Sequence, residues 1–181
     1  MIINRVTAQP CAWTFTIKPI QELILRYVIT GEGWVDPFAG KNSPAQFTND
    51  WHPDRDVCAH LDAKDWCDLV VSDSPGFEGV LFDPPYSYRQ ISEHYKEVGK
   101  KATSIDTTAR FYNRVMNAIC DKIRLGGYAI SCGWNSSGFD KNRGFEHVEI
   151  LLVCHGSGSH HNDTIVTVER KVMTNFKYQE I

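Results

Sequence analysis

A four-residue turn, Asp83-Pro84-Pro85-Tyr86, is the clearest chemical feature of the sequence. It follows an apolar run, residues 79–82, which is typical of a buried strand. Two successive prolines fix two φ angles, remove two N–H donors and push the residues before them toward extended geometry. The stiff turn offers a carboxylate, backbone carbonyls and an aromatic ring. Such a set suits a planar group that carries an NH2, because the oxygens accept its hydrogens while the ring stacks on its face.

Polar side chains also follow two earlier predicted strands. Residues 33–35 are apolar and lead into Asp36-Pro37-Phe38-Ala39-Gly40, and a weaker strand over 46–49 leads into a second polar pair. In parallel α/β sheets, ligands bind outside the carboxyl ends of the strands. Acids that merely end strands in turns would explain one or two of these positions, but less well the whole set. We therefore expect the polar residues at the strand ends to share one crevice: Asp36, Asn49, Asp50 and Asp83.

Hydrophobic periodicity predicts the elements that would position these residues. Lys18-Pro19 precedes an apolar i, i+3, i+4 pattern, which indicates a helix that ends near Gly31. A second helix is predicted over 107–125, with Gly126-Gly127 at its end. The remaining apolar runs predict strands at 69–72, 79–82, 128–132, 148–155 and 164–172.

The order of these elements predicts the fold class. Strands that alternate with helices indicate an α/β protein with a mostly parallel sheet and helices on both faces. The last two strands flank a polar turn, residues 156–163, and this pattern is typical of an antiparallel hairpin. A terminal hairpin makes the sheet mixed.

Composition excludes several classes of protein. The 181 residues are 42% hydrophobic and 23% charged, which suits one globular domain over 1–181. Nineteen Lys and Arg face 22 Asp and Glu, so no global basic field is available to hold a polyanion. No apolar run approaches the roughly 20 residues of a membrane helix, and the N-terminus lacks a signal-peptide pattern. We expect a cytoplasmic protein.

Cysteine and histidine give weaker signals. The six cysteines are scattered without a CxxC pair, so reduced thiols in or near the core are expected rather than disulfides or a zinc ribbon. His155, His160, His161 and Asp163 fall within nine residues, but they surround a predicted hairpin turn rich in glycine and serine. No metal site is predicted there.

The turn and the strand-end loop together resemble a known family, the S-adenosylmethionine-dependent amino-methyltransferases, and most of all the N6-adenine DNA methyltransferases. That family carries a [D/N/S]-P-P-[Y/F/W] motif after its fourth strand, which residues 83–86 match, and a DPF-x-G motif after its first strand, which residues 36–40 match. Its segment before the first helix resembles residues 14–19. The resemblance implies a Rossmann-like methyltransferase fold with a seven-stranded sheet.

The resemblance also implies an activity and its residues. Asp83, Pro84, Pro85 and Tyr86 would bind the target amine, and Asp before Pro-Pro favours adenine N6 over cytosine N4. The implied cofactor is S-adenosyl-L-methionine, with Asp36, Phe38 and Gly40 near its methionine end, Asn49 or Asp50 on its ribose and Asp62 near its adenine. The full set of expected cofactor contacts is Thr16, Lys18, Asp36, Phe38, Gly40, Asn49, Asp50 and Asp62.

The sequence departs from the family in two places, in the loop after Gly40 and in the region that would recognise the target. The family often continues with another glycine and a small hydroxyl residue, whereas this chain continues with Lys41-Asn42-Ser43-Pro44. No sizeable target-recognition domain separates the two motifs, so a homodimer or a partner subunit would supply that function. Basic and aromatic residues near the motifs are candidate nucleic-acid contacts, although a solvated charged face explains them about equally well: Tyr88, Arg89, Lys96, Lys100, Lys101, Lys141 and Arg143.

Other functions stay open at this point. An RNA, cytosine-N4 or guanine-N2 amino-methyltransferase would carry a similar turn. A non-catalytic S-adenosylmethionine-binding subunit of a larger complex would explain the altered loop after Gly40. The absence of G-x-G-x-x-G gives a nicotinamide enzyme little support. The small size and the motifs favour a DNA enzyme from a phage or mobile element.

Overall fold

A seven-stranded mixed sheet organises the chain in the computed structural model, which describes residues 1–72, 76–85, 109–156 and 162–174. The first half holds these elements: β1 (Ile2–Thr7), a 3-10 turn (Thr14–Thr16), α1 (Lys18–Tyr27), β2 (Trp34–Asp36), β3 (Phe47–Thr48), α2 (Ala63–Leu69) and β4 (Phe77–Phe82). The second half holds α3 (Ala109–Cys120), β5 (Ile123–Gly133), a 3-10 turn (Lys141–Arg143), β6 (Phe145–Cys154) and β7 (Thr164–Lys171).

The strands lie in the order β1-β6-β7-β5-β4-β2-β3. β7 is antiparallel to both of its neighbours, and every other pairing is parallel. The predicted fold class is therefore confirmed: a mostly parallel seven-stranded sheet that ends in an antiparallel hairpin. None of the helices in the described ranges is long and apolar enough to span a membrane.

Hydrophobic packing covers both faces of the sheet. Helix α1 buries Ile20, Leu23 and Ile24 against one face, where Leu81 of β4 lies. Helices α2 and α3 pack on the other face, together with Val80 and Phe82 of the same strand. Successive strand residues point to opposite faces, so a continuous apolar strand such as β4 is what a sheet covered on both sides requires.

The prediction of a strand at 69–72 is wrong. Only Leu69 belongs to a regular element, as the last residue of α2, and residues 70–72 lie in neither a helix nor a strand. α2 begins where the Asp62 carboxylate accepts hydrogen bonds from the backbone N–H groups of Lys64 and Asp65. Trp66 and Cys67 are buried on its inner side. The helix is only seven residues long, so its periodicity was too short to stand out against the apolar residues that follow it.

The second helix ends earlier than its periodicity predicts. α3 ends at Cys120, and Ile123 already belongs to β5. Gly126-Gly127 lies inside β5, where the register against β4 is irregular, rather than at a helix end. A Cβ on Gly127 would lie 2.8 Å from the Glu78 carbonyl oxygen, so the close approach of the two strands explains that glycine.

The N-terminal strand was not predicted. β1 pairs in parallel with β6 at the edge of the sheet, and its side chains are mostly exposed, so it lacks the alternation that identifies a strand. The buried His155 ring helps to attach it, because one ring nitrogen lies 3.0 Å from the Ala8 carbonyl oxygen and the other 2.9 Å from the Thr164 hydroxyl. Among the residues described, no three His, Cys, Asp or Glu side chains form a metal-binding group, and His160 and His161 lie outside them.

All six cysteines are unpaired, and three of them are buried: Cys67, Cys120 and Cys132. The prediction of thiols in or near the core is confirmed for these three, whereas Cys11 and Cys58 are exposed.

Candidate active site

A cavity of about 720 Å³ lies at the carboxyl ends of β2, β3 and β4. Several separate segments of the chain meet there, and they include both strand-end motifs. The lining comes from residues 12–15, 37–42, 49–52, 55, 61–63, 83–85, 111 and 112. The prediction that the polar strand ends share one crevice is confirmed for Asn49, Asp50 and Asp83, while Asp36 lies behind the wall.

Asp83 is half-buried and its carboxyl accepts a hydrogen bond from Thr14. Desolvation raises the pKa of Asp83 to about 7, and the Thr14 hydrogen bond opposes that rise only in part. The carboxyl therefore exchanges its proton near neutral pH. Beside it, the Tyr112 hydroxyl donates to the Pro85 carbonyl and fixes the second half of the turn. Tyr86, the last residue of the motif, lies outside the described residues.

Asp36 organises the loop beneath the cavity rather than lining it. The residue is fully buried, and its carboxyl oxygens accept from the Phe38 N–H at 2.9 Å and from the Ser43 hydroxyl at 2.6 Å. Burial raises the pKa of Asp36 to about 7, and the negative charges of Asp83 and Asp50 add to that rise. Ser43 supplies a hydroxyl to this loop even though the run after Gly40 departs from the family pattern.

Asn49 and Asp50 have different roles at the end of β3. Asn49 is almost fully buried, and its amide group bonds to the Pro37 carbonyl, the Leu61 carbonyl and the Leu61 N–H at 3.0–3.2 Å. It therefore joins two loops. Asp50 accepts from the Gly40 N–H at 3.1 Å and the His52 N–H at 2.8 Å. Because Asp50 lines the cavity, it is the better placed of the two to accept hydrogen bonds from a ligand.

The other expected cofactor contacts divide into two groups. Phe38, Gly40 and Asp62 line the cavity, although Asp62 also caps α2. Thr16 and Lys18 do not line it. The Thr16 hydroxyl donates to the Trp13 carbonyl at 2.7 Å, and the Lys18 side chain is 85% exposed, with its Nζ 3.9 Å from Glu22. The residues just before them, 12–15, form this wall instead.

Sequence reasoning missed three groups of lining residues. Trp13 directly precedes the segment 14–19, and Thr14 is the first residue of that segment, but neither was predicted to contact a ligand. A tryptophan next to this segment was the available signal. Phe111 and Tyr112 come from the first turn of α3, which is remote in sequence. Lys41 and Arg55 are isolated basic residues without a pattern, so nothing in the sequence pointed to them.

The structure corrects one predicted nucleic-acid contact. Arg143 is 8% exposed, and its guanidinium donates to Asn117, to Asn113 and to the Phe139 carbonyl at 2.7–3.0 Å. It therefore holds α3 to the loop after β5 and is not a surface cation. Lys141 is exposed but does not line the cavity. The other candidates lie outside the described residues: Tyr88, Arg89, Lys96, Lys100 and Lys101.

Comparison with known proteins identifies the fold. No protein-family model and no curated protein matches the sequence. Among solved structures, the N-methyltransferase NodS from Bradyrhizobium japonicum WM9 is 9% identical, with a TM-score of 0.50 over 86% of this chain and 96% of that one. NSun6 from Pyrococcus horikoshii, solved with SFG, is 14% identical, with a TM-score of 0.50 over 82% of this chain and 52% of that one. The chain has a Rossmann-like methyltransferase fold.

The methyltransferase fold explains why the cavity lies where it does. β2 stands between β3 and β4, so the chain turns to opposite sides of β2 when it enters these two strands. Such a reversal opens a crevice at the carboxyl ends of the strands, and open α/β sheets bind ligands there. The 36–40 loop and the Asp83 turn flank this reversal.

Proposed function

We propose that this protein is an S-adenosyl-L-methionine-dependent methyltransferase that transfers a methyl group to the exocyclic N6 amine of adenine in DNA. One observation carries the proposal: the Asp83-Pro84-Pro85 turn opens into the same cavity as the 36–40 loop and Asp50. A methyl donor and an amine must meet within one site, and this cavity holds the motif expected for each. The similarity of fold to methyltransferases, one of them solved with the S-adenosylmethionine analogue SFG, supports the choice of cofactor.

The cavity fits that cofactor in charge and in hydrogen-bonding capacity. Asp50, Asp62 and Asp83 supply carboxylates to a cavity that is otherwise lined largely by apolar and aromatic groups. In the proposed mode, Asp50 accepts from the ribose hydroxyls, Asp62 lies near the adenine, and the backbone at Phe38 and Gly40 borders the methionine end. The cofactor supplies a methyl group already activated by a sulfonium charge.

The Asp83 turn would bind the target amine through two acceptors. The Asp83 carboxylate accepts one N–H and the Pro84 carbonyl accepts the other, while the Pro85 carbonyl is already occupied by the Tyr112 hydroxyl. Bonds to both hydrogens draw the nitrogen lone pair out of conjugation with the ring and aim it into the cavity. The protein then contributes mainly alignment of the reacting atoms. A cation bound in the cavity would lower the pKa of Asp83 and keep its carboxylate ready to accept.

A duplex substrate adds one requirement. An adenine inside the helix cannot reach the turn, so it has to leave the base stack. In the proposal, Tyr86 stacks on the extruded base. Base–aromatic stacking contributes roughly 1–3 kcal/mol, which would offset part of the cost of unstacking.

The proposal is tested by identifying the product. The protein is incubated with methyl-labelled S-adenosylmethionine and, separately, with unmethylated DNA and with RNA, and the nucleosides are analysed by mass spectrometry. N6-methyladenine from DNA supports the proposal. Label in N4-methylcytosine, in N2-methylguanine or only in RNA contradicts the substrate. Cofactor binding without methylation of either polymer would favour a non-catalytic subunit.

A further inference from the structure

Two cations and a tryptophan form a cluster at the mouth of the cavity. The Lys41 Nζ and the Arg55 guanidinium carbon each lie 5.2 Å from the centroid of the Trp13 ring, and all three residues line the cavity. Lys41 is exposed, whereas Arg55 is half-buried and its Nε is buried without a hydrogen-bond partner. Both charges are held by the face of an aromatic ring, which attracts cations without neutralising them.

Neither cation is neutralised by an acid. Within the described ranges, no carboxylate lies at salt-bridge distance from Lys41 or Arg55, although Asp50, Asp62 and Asp83 line the same cavity. The cavity therefore holds carboxylates and two cations that form no ion pair with one another within the described ranges. An anionic group would be attracted to the cluster and repelled by the carboxylates.

The cluster is preorganised by the loop beneath it. The Trp13 carbonyl accepts from the backbone N–H of Thr16 at 2.9 Å, which fixes this stretch of chain. The ring packs directly over Gly40, where a Cβ would lie 3.3 Å from a ring carbon and where φ is +55°. Trp13 is thus positioned by its backbone hydrogen bond and by its contact with Gly40, and both cations lie over its ring in the absence of a ligand.

We infer that Lys41 and Arg55, held by Trp13, contact backbone phosphates of the DNA strand that presents the target base; this inference rests on the proposed function. A chain with a net charge of -3 has no global field to hold a polyanion, so it needs local cations. Of the two candidate cations from the sequence that the structure describes, Arg143 is buried and Lys141 does not line the cavity. The Lys41–Arg55 cluster adjoins the cavity that would take the base, so phosphates flanking that base would come within its reach.

Salt dependence of binding tests this inference. The affinity of wild type, Lys41→Gln, Arg55→Gln and the double variant for a short fluorescein-labelled single-stranded DNA is measured by anisotropy across a series of KCl concentrations. We expect the slope of log K against log salt to fall by about 0.7 for each single variant and by about 1.4 for the double variant. Arg124→Gln is the matched control, because it removes the same charge near the amino end of β5, whereas the cavity lies at the carboxyl ends of the parallel strands.

Calorimetric titration with S-adenosylmethionine completes the test. This titration shows whether the variants also lose cofactor affinity, and thermal melting confirms that they are folded. Wild-type slopes in the double variant would overturn the inference, as would loss of cofactor affinity with an unchanged slope. These binding measurements need no methyl transfer. A changed slope without methylation contradicts only the proposed function, whereas an unchanged slope with normal methylation contradicts only the phosphate contact.

Discussion

Asp83 combines a raised pKa with a position at the cavity wall. Its carboxyl lies at the cavity wall, and its pKa is raised to about 7 mainly by desolvation. A carboxyl on the surface would be ionised at every physiological pH and would show no titration there. In the proposed mechanism, ionisation of this group contributes to the pH dependence of activity.

The rate of methyl transfer should rise with pH and then level off. Only the carboxylate form of Asp83 accepts an amine hydrogen, so kcat/KM should increase about tenfold per pH unit below the pKa and become flat above it. We expect the midpoint of this profile at about 7, the pKa of the free site, while kcat should level off at lower pH because a bound cation lowers that pKa. Initial rates measured across pH give both profiles. A kcat/KM that is independent of pH through this range would contradict a role for the carboxylate.

At the scale of single residues, the sequence predicted what lies within one motif. Two prolines restrict the backbone wherever they occur, so Asp83 was identifiable from its neighbours alone. Folding brings Lys41 and Arg55 into contact with Trp13, and no local sequence pattern predicts that contact. Arg143 lies in a polar stretch that is typical of a surface segment. Its guanidinium is nevertheless buried and donates hydrogen bonds to Asn113 and Asn117 of α3.

At the scale of elements, the loop from Asp36 to Ser43 is the part that the fold specifies most closely. Asp36 bonds to both ends of it, and Asp50 accepts from the Gly40 N–H. Gly40 adopts a positive φ directly beneath Trp13, where a side chain would be strained and would contact the ring. The loop therefore depends on glycine at this position.

Gly40→Ala should weaken cofactor binding more than it weakens the fold. The added methyl group would lie 3.3 Å from the Trp13 ring, which must shift slightly to admit it, and the positive φ costs about 1 kcal/mol. We expect a several-fold increase in the Kd for S-adenosylmethionine, measured by calorimetry, with a small loss of Tm. Gly156→Ala is a control, because Gly156 also has a positive φ, but no atom lies within 4 Å of its Cβ position. Equal cofactor affinity in wild type and Gly40→Ala would contradict the role given to the Trp13–Gly40 contact.

Asp62 should stabilise α2 through its cap. Its carboxylate accepts from the N–H groups of Lys64 and Asp65, and removal of such a cap costs about 1 kcal/mol. For a protein of this size we expect Asp62→Ala to lower Tm by about 2–4 °C. Asp62→Asn retains a capping oxygen and should keep most of the stability. If the two variants melted at the same temperature in calorimetry, the cap would not be the source of the effect.

Elements were predictable where apolar periodicity was long and failed where it was short or exposed. α1 and the β6–β7 hairpin carry long patterns and appear as predicted. α2 has seven residues, and its start depends on one capping side chain. β1 lies at an edge with mostly exposed side chains, so its strand conformation comes from pairing with β6 rather than from its own pattern.

At the scale of the whole molecule, two carboxyl groups at the site lower the free energy of unfolding at neutral pH. Asp36 and Asp83 both have a pKa of about 7 in the folded protein against 3.8 ordinarily. A carboxyl whose pKa is raised on folding favours the folded state below its ordinary pKa, and this contribution is lost as pH rises through the folded pKa. Both groups therefore stabilise the fold least at and above neutral pH.

Asp83→Asn should remove one of these penalties. An amide carries no charge to desolvate, so the Tm of the variant relative to wild type should increase as pH rises from about 4 to about 7. We expect a gain of about 2–4 °C at the upper end for each kcal/mol recovered. Paired melting curves across this pH range measure the difference. A Tm difference that stays constant with pH would show that the carboxyl titrates normally.

The net charge of -3 limits how the whole molecule can bind nucleic acid. In the proposed enzyme, nucleic acid contacts a local pair of cations beside an acidic cavity, and a second copy or a partner subunit supplies further target recognition. Binding to DNA alone should accordingly be weak, and the two cations should contribute a slope of log K against log salt of only about −1.4 to −1.8. The fold class followed from the order of the elements, whereas the placement of Lys41 and Arg55 over Trp13 became visible only in three dimensions.

The most direct test of the central claim identifies the nitrogen that receives the methyl group. An oligonucleotide with a nitrogen-15 label on the exocyclic amine of adenine is incubated with the protein and deuteromethyl-labelled S-adenosylmethionine, and the nucleosides are analysed by mass spectrometry. The proposal predicts N6-methyladenine that carries both labels, with Asp83→Asn reducing its rate at least about 100-fold. Label on another base, or a doubly labelled product formed at the wild-type rate by Asp83→Asn, would contradict it.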